Sequence, residues 1–231
     1  TIIGFPRTNK DTVIYTDYRA QLEEAVAEGS AYYTALECWN GENGAQRTYT
    51  LSDGIEMSIL YNYFYEHDSA DENNYSVCVL FSQGDRHFLF TGDLEEEGEE
   101  YLVQYNDLPQ VELFKAGHHG SKTSSNECLL EVIRPKIVCV CCCAGTDEYT
   151  DIKENQFPTQ AMIDRIAPYT DAVYVTSQFA DNGDGYTSMN GNIVVTSSAG
   201  SNVTVRGSVN DVKLKDTAWF LENRTMPQAW A

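Results

Sequence analysis

Basic residues are scarce in this chain. Lys and Arg number 15 against 35 Asp and Glu, a formal net charge of −20. Non-specific nucleic-acid binding depends on neutralising phosphates with Lys and Arg, so a broad nucleic-acid-binding surface is excluded; a small local basic site is not. No stretch approaches the roughly 20 apolar residues that a membrane-spanning helix needs. The opening Thr1-Ile2-Ile3-Gly4-Phe5-Pro6 has neither the charged start nor the long apolar core of a signal peptide. It also lacks an initial Met, as a processed or trimmed product would.

What is present suits a folded domain. The 231 residues fit one large domain or two small ones, and a hydrophobic content of 42% supports a sizeable core. We expect one domain over residues 1–231. Fifteen tyrosines point to strands with amphipathic aromatic faces. Of the seven cysteines, four lie in Ile137-Val138-Cys139-Val140-Cys141-Cys142-Cys143-Ala144, which reads as a buried strand. Strand alternation puts Cys139, Cys141 and Cys143 on one face and Cys142 on the other. No paired-histidine motif accompanies them, so they are expected as small core hydrophobes. The odd total and the clustering suit a reducing, cytoplasmic compartment, with an extracellular address the alternative if a signal has been removed.

Local patterns alternate between helix and strand. A helix is expected over Thr12–Gly29, ended by Gly29-Ser30. Short strands follow from Ala31 to Leu60, with turns at Asn40-Gly41, Asn43-Gly44 and Asp53-Gly54. Glu66–Asn74 reads as a polar loop. Tyr75–Phe81 and Arg86–Phe90 read as a hairpin around Gln83-Gly84-Asp85. The acidic stretch Leu94–Tyr105 reads as a helix whose first carboxylates suit the positive end of its dipole. Ser124–Ile133 and Thr159–Ala167 are further helices, the second started by Pro158. Ala172–Thr176 is a buried-type strand, and Asn192–Thr196 with Asn202–Arg206 form a hairpin. This alternation defines an α/β or α+β domain.

Two motifs carry the chemistry. Phe88-Leu89-Phe90 runs into Thr91-Gly92-Asp93, and Val111-Glu112-Leu113-Phe114 leads to Gly117-His118-His119-Gly120-Ser121. Strands that end in Gly and then a polar side chain present that side chain at the rim of a sheet. An Asp and a His delivered from neighbouring strand ends suit zinc, manganese or iron. The bland alternative for Asp93 is a turn or helix-cap residue. His118, directly after Gly117, is the better ligand of the pair, because adjacent side chains in extended backbone diverge. His119 is then left to face substrate or a supporting partner. His67, in a polar loop, and His87, in a strand, have no supporting pattern. Ser121, Ser124 and Ser125 precede a helix whose N–H groups could hold a phosphate, or they serve only as caps. Lys115, Lys122 and Arg86 could add local positive field.

From Asn73 to Thr176 the chain resembles the metallo-β-lactamase superfamily, in the branch of the DNA-internalisation competence protein ComEC and its soluble relatives. The resemblance rests on an ordered set: Asn73-Asn74-Tyr75-Ser76, Thr91-Gly92-Asp93, Gly117-His118-His119-Gly120-Ser121 with Ser124-Ser125, and Arg134-Pro135-Lys136 with the strand after it. It implies a four-layer αββα sandwich with metals at one edge of two sheets, here mainly the carboxyl-terminal portion. It implies a metal-dependent hydrolase acting on phosphodiester or other phosphate ester bonds. Asp93 and His118 would be metal ligands; Asp93, His118 and His119 would be catalytic; Ser121, Lys122 and Asn73 would meet the substrate. Zinc or manganese is the implied cofactor.

The sequence departs from the family in two places. Most first-half ligands of the family come from a His-x-His-x-Asp-His motif, and none of the four histidines here forms it. The expectation is a domain truncated at its amino terminus, inactive alone and possessing no complete metal site. It would pair with the missing half or with itself. The alternative is a non-catalytic binding or assembly module that has lost the motif. Second, the branch commonly has a His-Pro step where this chain has Phe157-Pro158, and Phe neither binds metal nor transfers a proton.

Overall fold

The computed structural model describes residues 1–52 and 54–231. The expected turn at Asp53 therefore lies outside the described residues. In chain order the strands are β1 (Ile2–Gly4), β2 (Tyr32–Thr34), β3 (Thr48–Ser52), β4 (Ile55–Ile59), β5 (Val79–Gln83) and β6 (Arg86–Phe90). They continue with β7 (Leu113–Lys115), β8 (Ile137–Ala144), β9 (Val173–Phe179), β10 (Tyr186–Ser188), β11 (Ile193–Thr196) and β12 (Thr204–Gly207). The helices are α1 (Val13–Ala27), α2 (Ala35–Asn40), α3 (Glu96–Tyr105), α4 (Glu127–Ile133), α5 (Gln160–Ile166) and α6 (Ala218–Asn223).

An eight-stranded sheet in the order β10-β9-β8-β7-β6-β5-β4-β3 organises the chain. β3 to β6 form an antiparallel meander, and β6 to β9 run parallel. Parallel neighbours need crossovers, and α3, α4 and α5 supply them. Leu89, Phe114, Val138, Val140, Val173 and Val175 point to one face, where they pack with Leu102, Leu129, Leu130, Met162, Ile163 and Phe220 of the helices. Full burial of each such side chain contributes about 1.5–3 kcal/mol before entropy is counted.

The opposite face is covered in two patches. α2 and its neighbours lie over Ile59 and Val79, while the β11–β12 hairpin lays Ile193, Val195 and Val205 on Leu113, Ile137 and Cys139. A groove of about 580 Å³, lined by Phe81, Phe88, Phe90 and Leu113, remains on this face. Helices, a large sheet and a smaller sheet give the mixed α/β, metallo-β-lactamase-like layering that the resemblance implies.

Two local expectations need correction. Ala35–Asn40 is a helix, not part of a strand run. Thr34 and Glu37 form a reciprocal capping box there, and Gly41 closes it at φ 69°, so local capping outweighs the strand-like pattern. The expected first helix is present: Thr12 caps α1, its hydroxyl accepting from Tyr15 N–H, though the helix buries none of its residues. In β8 the pairing register shifts between Val140 and Cys143. Alternation persists across it: Val138, Val140 and Cys142 lie on the helix-covered face, and Cys139 and Cys141 share the opposite face, where Cys139 is buried but Cys141, at the groove, is exposed and is not a core residue.

Candidate active site

Because β6 to β9 are parallel, their carboxyl ends share one sheet edge, the usual place for a ligand site in such sheets. Thr91-Gly92-Asp93 leaves the end of β6, and Gly117–Ser121 leaves the end of β7. The two loops are bonded directly: His118 N–H donates to Gly92 O at 3.2 Å. Asp93 N–H donates to the Ser76 hydroxyl at 3.0 Å. Gly92 sits at φ +61°, and a Cβ there would lie 2.8 Å from that hydroxyl oxygen. Two requirements thus fall on one position, left-handed backbone and close approach.

The histidines adopt a conformation that their sequence does not announce. His118 has φ 42° and ψ 49°, and His119 has φ 54° and ψ 20°. Left-handed backbone is uncommon outside glycine. Strain of this kind clusters at functional sites.

Each histidine has its own partners. His119 Nδ1 lies 2.7 Å from Cys141 O, and its Nε2 lies 3.5 Å from Asp93 Oδ2. A carbonyl only accepts, so Nδ1 carries a proton and Nε2 faces the carboxylate. The bond to Asp93 is the main cause that raises the His119 pKa, with the Cys141 carbonyl adding to it. Reciprocally, His119 is the main cause that holds Asp93 below the usual carboxylate range; Lys115 and His118 add to it. Lys115 Nζ lies 3.9 Å from Asp93 Oδ1.

His118 Nδ1 lies 3.0 Å from Glu95 Oε1, which also accepts from the Thr123 hydroxyl at 2.7 Å. The carboxylate fixes the proton on Nδ1 and leaves the Nε2 lone pair free. Metal-binding histidines commonly have such a carboxylate behind them. Phe157 closes the neighbourhood: its ring centre is 5.8 Å from that of His118 and 6.4 Å from that of His119.

The expected residues are distributed unevenly. Asp93, His118 and His119 come together, with Asp93 contacting His119 and His118 contacting Glu95. Asn73 reaches the edge of the group, its amide 3.5 Å from Glu95 Oε1. Ser121 bonds Thr123 at 2.9 Å, and Lys122 reaches away to Asn155 at 2.9 Å. His67 stacks on Tyr63, and His87 bonds Ser82. The expected phosphate seat at the start of α4 is filled by the chain itself: the Ser125 and Asn126 N–H groups donate to the Glu99 carboxylate. Sequence reasoning missed Glu95 and Thr123. Glu95 is one carboxylate in the run Glu95-Glu96-Glu97, and nothing in the pattern distinguishes it.

Among the described residues, no group of three or more His, Cys, Asp or Glu side chains could hold a metal ion. Structural zinc sites take four protein ligands and catalytic ones three. Asp93 and the free nitrogen of His118 fall short of that set, so these residues do not by themselves fit the metal centre that the resemblance implies.

Residues 67–144 match the metallo-beta-lactamase superfamily, a stretch that contains Asp93, His118 and His119. That match and the relatives below support a likeness to the metallo-β-lactamase superfamily and its competence-protein branch. It is similar to Recombination protein 2 of Haemophilus influenzae, 30% identical over 106 residues, covering 46% of this chain and 12% of that protein. It is similar to ComE operon protein 3 of Bacillus subtilis, 36% identical over 69 residues, covering 30% of this chain and 9% of that protein. Competence protein ComA of Neisseria gonorrhoeae is 27% identical over 142 residues, covering 61% of this chain and 19% of that protein. The chain thus spans less than a fifth of each of these relatives.

Proposed function

We propose that the β6–β7 edge is the phosphate-ester site of a ComEC-like hydrolase. The observation that carries this reading is the paired arrangement of Asp93 with His119 and Glu95 with His118 at the ends of adjacent parallel strands. A phosphate ester approaching this edge meets two cationic groups, Lys115 and protonated His119, in an otherwise acidic chain. His119, its Nδ1 held on Cys141 O, turns Nε2 toward Asp93, where a phosphate oxygen would compete for the same nitrogen. The free nitrogen of His118 and the carboxylate of Asp93 are the chain's metal-type donors at the site. Zinc or manganese there requires further ligands, and the chain alone is expected to be inactive.

The second reading is a non-catalytic binding or assembly module. Phe157 against both histidines favours it, as does the incomplete donor set.

The test is a titration with inorganic phosphate and with dimethyl phosphate at fixed ionic strength, followed by backbone amide NMR. Both ligands should shift residues around Lys115, His119 and Ser121. Lys115→Ala or His119→Ala should weaken the response by about tenfold, as loss of a charged hydrogen-bond partner does. Shifts that survive both single substitutions would refute the site.

A further inference from the structure

His118, His119 and Ser125 lie within one loop and all have positive φ, at 42°, 54° and 60°. Such backbone is strained and persists only where its surroundings over-determine it. Two side chains from separate helices meet the loop without touching Asp93 or either histidine.

Glu99 of α3 is completely buried. Its Oε1 accepts from Ser125 N–H at 2.7 Å, and its Oε2 from Asn126 N–H at 2.8 Å and Asn126 Nδ2 at 2.9 Å. The Ser124 hydroxyl lies between Leu94 O at 2.7 Å and Glu99 Oε1 at 3.2 Å. Asn126, the N-cap of α4, makes no side-chain cap bond; its backbone and side-chain N–H groups both go to Glu99 instead.

Arg165 of α5 takes the complementary groups. Its Nε donates to Ser125 O at 2.9 Å, and its Nη2 to Lys122 O at 2.9 Å and Ser124 O at 2.8 Å. One buried anion therefore gathers the loop's donors, and one cation gathers its acceptors. Burying a carboxylate is costly unless its hydrogen bonds are made.

The clamped residues lead straight to the histidines. Thr123, inside the clamp, donates to Glu95, which orients His118. Ser121 N–H donates to His118 O at 2.8 Å. We infer that Glu99 and Arg165 are positioning residues for the histidine pair, a two-sided clamp that sets the left-handed His118-His119 turn. The inference rests on the reading of that pair as the site.

The test compares Glu99→Gln and Arg165→Lys with the wild-type chain by direct NMR detection of the imidazole groups. Gln places an NH₂ against N–H donors; Lys loses the fork that reaches three carbonyls. The readouts are exchange of the His119 Nδ1 proton bonded to Cys141 O and the His118 ring nitrogen shifts that report its tautomer. Circular dichroism checks the fold. Each variant should stay folded, speed that proton's exchange by about tenfold or more, and move His118 toward a mixture of tautomers. Lower denaturation midpoints with both ring signatures unchanged would overturn the inference, leaving Glu99 and Arg165 merely structural. If Glu99→Gln does not fold, Arg165→Lys decides by the same signatures, because Arg165 is only half-buried. No phosphate enters the measurement, so failure of the phosphate titration is distinguishable from failure of the clamp.

Discussion

Gly117→Ala is a sharp test of how tightly the histidine loop is packed. A Cβ at this position would lie 2.0 Å from Ser124 Oγ, 3.3 Å from Ser124 Cβ and 3.4 Å from Thr91 Oγ1. The worst contact cannot be relieved cheaply, because Ser124 is fully buried and its hydroxyl is engaged between Leu94 O and Glu99. Overpacking of this kind typically costs about 1–3 kcal/mol, and the contact argues for the upper half of that range. Urea unfolding should show a lower midpoint with an unchanged slope, since the same surface is exposed. Ser124→Ala alone should also destabilise, because it strips buried groups of a hydrogen-bond partner. The double variant removes the clashing oxygen, so its destabilisation should fall short of the sum by about 1 kcal/mol or more. Gly84→Ala is the control: its Cβ meets nothing within 4 Å, and only its φ of +59° opposes the change. If Gly117→Ala stays within about 0.5 kcal/mol of wild type, or if the two substitutions simply add, the packing argument fails.

Further expectations concern ionisation, catalysis and association. The His119 pKa should lie above its ordinary value and fall in Asp93→Asn, as read by imidazole NMR titration. By linkage, this histidine's stabilisation is complete below its unfolded pKa of about 6.5 and is lost as pH rises through its folded value; Asp93→Asn should flatten that dependence. The chain alone, dialysed into zinc or manganese, should retain no tight stoichiometric metal and turn over neither phosphodiesters nor β-lactams; robust turnover would contradict this. With only this chain in the sample, sedimentation velocity should show self-association through the apolar groove beside the β11–β12 hairpin, and Phe88→Glu should weaken it. A concentration-independent monomer would contradict that expectation.

The sequence made the parallel-sheet half most legible. Phe88–Phe90, the strand before the histidines and Ile137–Ala144 are short apolar runs joined by helical stretches, and the structure realises them as parallel neighbours. Ala35–Asn40 was harder to read because its helix rests on one capping box and a following Gly41, not on a long apolar period. Cys141 lies outside the core because it lines the groove on the face that Cys139 also occupies, and that groove leaves it exposed. At the site, Asp93 and the histidines stand out by motif, but their pairing does not. It depends on left-handed backbone at His118 and His119, which side chains at two other places, Glu99 and Arg165, hold from outside the motif. Those contacts are long-range, 26 and 40 residues apart for Glu99 and Arg165 to Ser125, and no local pattern encodes them.

Asp93 and His118 are proposed as the metal-facing donors of a phosphate-ester site that needs further ligands to hold an ion tightly. Titration with Mn²⁺ under NMR detection tests it most directly, because a nearby paramagnetic ion broadens only adjacent signals. The His118 ring signals should broaden first, ahead of those near the acidic run Glu95-Glu96-Glu97, and should recover sharpness in Asp93→Ala while phosphate-induced shifts near Lys115 persist. Broadening that begins elsewhere on this acidic surface, or that is unchanged in Asp93→Ala, would contradict it and favour the non-catalytic module.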